Sequence, residues 1–306
     1  MEKKYISSVI FDEKIKFTKS DNIIINALRK KDIKIDINNY INISEYDFAY
    51  DLNTYICMST VLKNILYKFS KVNERISFLK DLFKNEEVII ISSGPSSANI
   101  TESELRYISD NYITICVKYV LEILLEKNIK PTFFVYSQYL SKNNVEYYYE
   151  LSKDIVTVLG VDNYNKNIKY NKNIKHLIEV YLIPAKGHLH NFNLLKKNID
   201  CITWNTDKNN NKTYTTLHTM CELAIPLCIH LGISKIYTVG WDQKNIGDKS
   251  YCDSNINNEA FIHIDKINKT EFDYVPYIKK ILNDKNIEIY KIKESPILLE
   301  YKNIFS

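Results

Sequence analysis

From Glu87 onward the apolar residues of this chain come in short, β-branched runs separated by longer stretches of helical spacing. The runs are Val88–Ser92, Thr114–Lys118, Thr132–Tyr136, Ile155–Leu159, Leu177–Ile183, Ile236–Gly240 and Ile287–Ile292. A strand that is apolar on both faces is one covered on both faces, so these runs predict the parallel strands of a buried sheet. Parallel neighbours need crossovers, and Tyr119–Lys127, Leu217–Leu231 and Asp273–Lys285 are long enough to supply them as helices. The predicted architecture over residues 87–306 is an α/β fold, a Rossmann-like and mostly parallel sheet flanked by helices. The Asn/Lys-rich stretches Asn163–Lys175 and Asp207–Lys212 predict surface loops. Residues 1–86 differ in texture. They hold one strand-like run, Tyr5–Phe11, and helical patterns at Ser20–Lys31, Thr54–Phe69 and Asn73–Phe83, with no glycine or proline. They predict a mainly helical N-terminal cap or lead-in.

Composition narrows the function more than the fold. With 45% hydrophobic residues among 306, the chain can bury one good core, or a core plus a small appendage, which excludes disorder. The 41 Lys+Arg against 37 Asp+Glu leave a formal charge of +4, too small and scattered for nucleic acid as the main partner, yet compatible with a phosphorylated ligand. The six cysteines (Cys57, Cys116, Cys201, Cys221, Cys228 and Cys252) form no C-x-x-C pair. They read as reduced thiols, with neither a disulfide framework nor a zinc site. No stretch approaches about 18 consecutive apolar residues, and Met1–Phe11 lacks the apolar region of a signal peptide, so a cytoplasmic protein is expected.

Two segments carry candidate chemistry. In Glu86–Ser97 an apolar strand ends in a tight Ser93-Gly94-Pro95-Ser96 turn. Backbone N–H groups and hydroxyls then gather at the carboxyl edge of the first sheet strand, where α/β folds hold phosphorylated ligands. The turn is neither a P-loop, since no Gly-Lys-Ser/Thr follows, nor a G-x-G-x-x-G; an ordinary strand-to-helix turn is the alternative. The second segment, Thr215–Asp242, reads as a buried helix capped by Gly232, a core strand Ile236–Val239, and a Gly240-Trp241-Asp242 corner. An acidic residue just past a central strand can hold a ribose or a base, and Gly240 permits close approach, although a plain turn explains both as well. His230 is expected to pack on its helix.

The order of these pieces is a strand with Ser-Gly-Pro-Ser, then Thr114-Ile115-Cys116-Val117-Lys118, then a helix ending in Leu231-Gly232 ahead of Lys235-Ile236-Tyr237-x-x-Gly240-x-Asp242. It resembles the bacterial lipooligosaccharide sialyltransferases, which use CMP-N-acetylneuraminic acid. It also resembles their wider relatives, the flagellin-glycosylating motility-associated factors and the 6-hydroxymethylpterin diphosphokinase-like proteins. The resemblance spans about residues 87–300. It implies that Ser93, Gly94 and Ser96 meet the phosphate and ribose of a nucleotide, that Ser137 and Thr219 contact it, and that Gly240 and Asp242 lie beside the nucleoside. It further implies that Tyr251 donates to the departing phosphate and that His263 is the general base. Where the family carries Gly-Asn-Gly-Pro-Ser this chain has Ser92-Ser93-Gly94-Pro95-Ser96. The family's Asn after Cys116 is Val117, its second phosphate-contacting Tyr is Lys244, and an Arg before the buried helix is Leu217.

What the resemblance implies is an inverting, metal-independent glycosyltransferase. It would move a sialic-acid-like sugar from a CMP-sugar to a cell-surface glycan or protein, as in lipooligosaccharide biosynthesis, with residues 87–306 as the nucleotide-sugar-binding catalytic domain. Histidine suits the base, with an ordinary pKa of about 6.5, and a phenol can stabilise a leaving phosphate. The sequence holds no D-x-D, the motif with which many nucleotide-sugar transferases bind a divalent ion. No cofactor or resident metal is expected. The partners implied are the donor and the acceptor, which His188 and His190 could contact, with peripheral membrane association and self-association both compatible. Two other classes stay open: an ATP-dependent pyrophosphokinase of the hydroxymethylpterin type, and a non-catalytic protein that binds a nucleotide or glycan.

Overall fold

A computed structural model describes residues 17–33, 58–137, 142–162, 178–183, 202, 204, 213–214, 220–242 and 275–305. Helices α1 (Lys19–Lys30), α2 (Met58–Tyr67) and α3 (Val72–Leu79) precede the first strand, β1 (Glu87–Ile91). Then follow α4 (Glu102–Asn111), β2 (Ile113–Val117), α5 (Val120–Glu126), β3 (Phe133–Ser137), α6 (Lys142–Leu151), β4 (Val156–Asp162), β5 (Ile178–Ile183) and the short β6 (Thr213–Tyr214). A π-helical turn (Met220–Ala224) runs into α7 (Ile225–Leu231), followed by β7 (Lys235–Val239), a helix α8 over 275–284, and β8 (Glu288–Lys291).

The strands form one sheet in the order β6-β5-β4-β3-β2-β1-β7-β8, and every described pairing is parallel. From β1 to β6 the chain steps one way across the sheet; β7 and β8 then return to the other side of β1. The junction of β1 and β7 is therefore a topological switch point, the place where crossovers diverge and leave a crevice at the carboxyl edge. Beyond β8, Lys291 donates its N–H to Glu300 and accepts from the N–H of Lys302, forming a parallel bridge to Tyr301.

Alternation along the strands divides the core into two layers. Val88 and Ile90 of β1 face one side, Ile89 and Ile91 the other. The first layer is covered by α1, α2, α3, the π turn with α7, and α8, the second by α4, α5 and α6. Ile24, Leu28, Leu62, Leu66 and Leu79 of the N-terminal helices share one cluster with Val88, Ile115 and Val135 of the sheet. Each such side chain contributes roughly 1.5–3 kcal/mol by leaving water, so the sheet draws stability from these helices as well as from its crossovers. At the start of α1, Thr18 and Asp21 form a reciprocal capping box, and Asp21 also accepts the Met58 N–H at 3.2 Å, which ties α1 to α2.

Three departures from the apolar pattern have local causes. The helix expected over Asn73–Phe83 stops at Leu79, because the N–H groups of Asp81, Phe83 and Asn85 donate instead to the carbonyls of His230, Leu231 and Gly232. That strap fastens the chain entering β1 to the end of α7, where Gly232 caps the helix at φ 79, ψ 23. The helix leading to Leu231 is not regular, since Pro226 lacks an N–H and its ring crowds the Glu222 carbonyl; the wider π turn just before it accommodates the ring. Helix α4 buries only Leu105 and Ile108, too few to mark it by periodicity. Its start is a Thr101/Glu104 capping box, whose two backbone N–H groups donate at 2.9 and 3.3 Å. The expected strand Tyr5–Phe11 and the two expected loops lie outside the described residues, among which no helix is long and apolar enough to cross a membrane.

His230 is packed as expected. Its Nε2–H donates to the Ile76 carbonyl at 2.7 Å, and its ring lies 5.6 Å from that of Trp204. Burial lowers its pKa, outweighing the Ile76 carbonyl and Asp81, which raise it. The unfolded chain therefore takes up this proton first. His230 costs nothing above about pH 6.5, and stability drains away as the pH falls from there towards the folded pKa. The urea midpoint is expected to drop on moving from about pH 7 to about pH 5.5, and His230→Gln to flatten part of that slope. Identical slopes for the two proteins would show that the imidazole is not held neutral.

Candidate functional site

The two segments that stand out in the sequence meet at the switch point. β1 and β7 are direct neighbours, with Ile91 against Val239. Their ladder continues past both strands: Ser92 N–H donates to the Val239 carbonyl and Gly94 N–H to the Gly240 carbonyl, each at 2.8 Å. A Cβ at Gly240 (φ +73) would lie 1.9 Å from the Ser92 carbonyl oxygen, and one at Gly94 would lie 2.3 Å from that of Gly240. The turns can approach this closely only because both positions are glycine.

Ser96 locks the junction. Its N–H and its hydroxyl both donate to the Asp242 carboxylate, each at 2.5 Å, and its hydroxyl oxygen accepts the Gly240 N–H at 2.9 Å. Pro95 opens the short 3₁₀ turn Pro95–Asn99, where its missing N–H leaves nothing unpaired. Ser97 donates its hydroxyl to the Gly94 carbonyl at 2.7 Å.

These bonds determine what a ligand can meet. The N–H groups of Gly94 and Ser96, the donors that would cradle a phosphate, are spent within the chain, and a carboxylate takes the anion's place at the turn. A phosphate there would face the Asp242 charge at close range. The remaining acceptor capacity of Asp242 suits hydroxyl donors instead, such as a ribose diol.

Ser93, Gly94, Ser96, Gly240 and Asp242 thus come together in one corner. Ser137, which is buried, ends β3 on the same edge, with β2 between it and β1. Two strand spacings, about 10 Å, separate it from the β1 turn. Val117, at the end of β2, packs into the first-layer core. Thr219, Tyr251 and His263 lie outside the described residues, as do Lys244, Leu217, His188 and His190. Cys116, Cys221 and Cys228 are buried, and burial pushes the Cys228 thiol far up, which makes it unreactive. Sequence reasoning overlooked Lys118, which follows β2 at this edge with φ 54. No residue pattern announces a left-handed lysine. A cavity of about 450 Å³ lies elsewhere, lined by Thr18, Asp21, Arg106, Asp110 and Thr132 among others. Thr132 precedes β3 and Asp110 falls in the last turn of α4, so that cavity belongs to the amino edge of the sheet, opposite the switch point.

A wholly parallel, doubly wound sheet with interlocked turns at its switch point defines the class as a Rossmann-like α/β protein. A family model described as 6-hydroxymethylpterin diphosphokinase MptE-like matches residues 59–247, more than half of the chain, and the chain belongs to that family. Solved structures with a similar course include the sialyltransferase CstII from Campylobacter jejuni in complex with cytidine-5'-monophosphate. It is 18% identical, with 73% of this chain and 92% of that chain covered at a TM-score of 0.38. A point variant of the sialyltransferase Cst-II in complex with CMP is 15% identical, with 72% and 92% covered and a TM-score of 0.38. Likenesses at this level of score and identity carry no functional weight. No curated protein matches the chain.

Proposed function

We propose that the chain is a glycosyltransferase that takes a sialic-acid-like sugar from a CMP-sugar and passes it, with inversion and without a bound metal, to a glycan or protein acceptor. One observation carries this reading. The Ser-Gly-Pro-Ser turn and the Gly-x-Asp corner, the two stretches that the sequence resemblance assigns to a nucleotide, are bonded to each other at the switch point, with Asp242 left to accept from sugar hydroxyls. In the reaction the acceptor hydroxyl gives its proton to a base, the role assigned to His263, and its oxygen attacks the anomeric carbon. The bond from that carbon to the phosphate oxygen breaks on the opposite face, and CMP leaves with a proton donated by Tyr251. The family description favours a second reading, ATP-dependent pyrophosphoryl transfer, which requires Mg²⁺ and carboxylates beyond Asp242 to hold it.

Thermal unfolding with CMP, CDP, UDP, GDP and ATP, in EDTA and in Mg²⁺, separates the two. CMP in EDTA is expected to raise the transition, since a ligand at 100 times its Kd adds about 2.7 kcal/mol to the native state. Asp242→Asn, which turns one accepting oxygen into a donor, is expected to weaken CMP about 10- to 100-fold, the worth of a hydrogen bond to a charged group. Stabilisation by ATP only with Mg²⁺, and none by CMP, would replace sugar transfer with pyrophosphoryl transfer.

A further inference from the structure

We propose that the cavity at the amino edge of the sheet, between α1 and the end of α4, is a site for a neutral sugar, separate from the nucleotide corner. Its volume of about 450 Å³ falls in the range of small-ligand sites. A strand such as β2, five residues or roughly 16 Å long, stands between it and the switch point. One wall is α1, which precedes the segment that the family model matches. The cavity therefore belongs to this chain's own N-terminal addition as much as to the shared fold.

The formal charges of the lining cancel, Arg106 and Lys130 against Asp21 and Asp110, so neither a phosphate nor an ammonium group is favoured there. What the lining offers is hydrogen-bonding capacity. The Ser109 hydroxyl, the Asp110 carboxylate and the Asn128 amide take part in no hydrogen bond among the described residues. Thr132 is only 5% exposed; its hydroxyl oxygen accepts the Thr114 N–H at 3.3 Å, and its hydroxyl hydrogen has no acceptor among the described residues. A buried donor in that state costs free energy until something accepts from it. The set is thus one group that only accepts, one amide that does both, and two hydroxyls. Sugar hydroxyls donate and accept at once, so a ring carrying several of them matches this mixture. Ile24 and Ile129, both buried, supply apolar contact for the C–H face of such a ring. The backbone that carries the Asn128 amide is fixed before any ligand arrives, at φ 54, by bonds from the Asn128 N–H to the Leu125 carbonyl at 2.9 Å and from the Ile129 N–H to the Leu124 carbonyl at 2.8 Å. For a sugar transferase, a site here tethers a glycan whose free end reaches the carboxyl edge and raises its effective concentration there. The binding itself does not rest on the transfer reading.

Saturation-transfer NMR on the full chain with glucose, galactose, mannose, N-acetylglucosamine and lactose tests this. At least one of these sugars is expected to receive saturation, and CMP is expected to leave the signal in place because the two sites lie on opposite edges. In titrations of that sugar, Asp110→Ala should weaken binding about 10- to 100-fold, the worth of a hydrogen bond to a charged group, and Asn128→Gly about 5-fold. Both positions are exposed, and glycine suits φ 54, so both variants keep the fold. No transfer to any of the five sugars overturns the proposal, as does transfer that both variants leave unchanged or that CMP displaces. Sugar binding lost in both variants, in a chain that binds no CMP, sinks the nucleotide reading and leaves this one standing.

Discussion

Gly240→Ala is expected to destabilise the protein by about 3–5 kcal/mol, enough to threaten folding. An alanine forced to φ +73 costs about 1–2 kcal/mol for its left-handed backbone alone. The added carbon would also stand 1.9 Å from the Ser92 carbonyl oxygen, so the ends of β1 and β7 must part. That parting breaks the bonds from Gly94 N–H to the Gly240 carbonyl and from Gly240 N–H to the Ser96 hydroxyl, each worth about 1 kcal/mol. Gly232→Ala is the internal control. There φ is +79, but the nearest atoms, Asp81 Oδ1 and Lys84 Cα, would lie at 3.0 and 3.1 Å and need shift by only a few tenths of an ångström, so a smaller loss is expected, led by the backbone cost of about 1–2 kcal/mol. Urea unfolding of both variants gives the comparison. Equal losses would mean that the two turns do not touch in solution.

His263→Ala is expected to lower kcat by roughly 10²–10⁴-fold while leaving CMP affinity nearly intact, because a positioned general base contributes about that much to the chemical step and nothing to nucleotide binding. Tyr251→Phe should behave alike, slowing the departure of CMP without loosening it. Both expectations follow from the resemblance, which places the base ahead of the final helix and strand and the phenol after the Gly240-Trp241-Asp242 corner. The measurement is kcat and CMP affinity on the same folded variants. Near-normal turnover in His263→Ala, or joint loss of binding and fold, removes His263 from the mechanism and turns attention to His188, His190 and His218.

The central strands were legible because burial on both faces forces their residues to be apolar and β-branched. Glu87–Ile91, Ile113–Val117 and Lys235–Val239 each fall within one residue of the runs read from the sequence. Helix α4 was missed, although Thr101 and Glu104 spell out its start, since its contact with the sheet rests on two apolar side chains. The π turn required weighing Pro226 against the carbonyl four residues earlier. The corner itself was half legible. Gly94 and Gly240 could be singled out as scarce glycines after strands, but the bond from Ser96 to Asp242 joins residues 146 positions apart, and only strand order reveals it. That bond changed the meaning of the motif, since donors expected to hold a phosphate hold a carboxylate.

A parallel sheet ends in two strands with unpaired backbone groups, and such edges are where chains stick to one another. Here β6 is described over Thr213–Tyr214, and β8 is partly shielded by the segment that bridges Lys291 to Tyr301. Strand-to-strand growth into fibres therefore finds less template at the β8 margin.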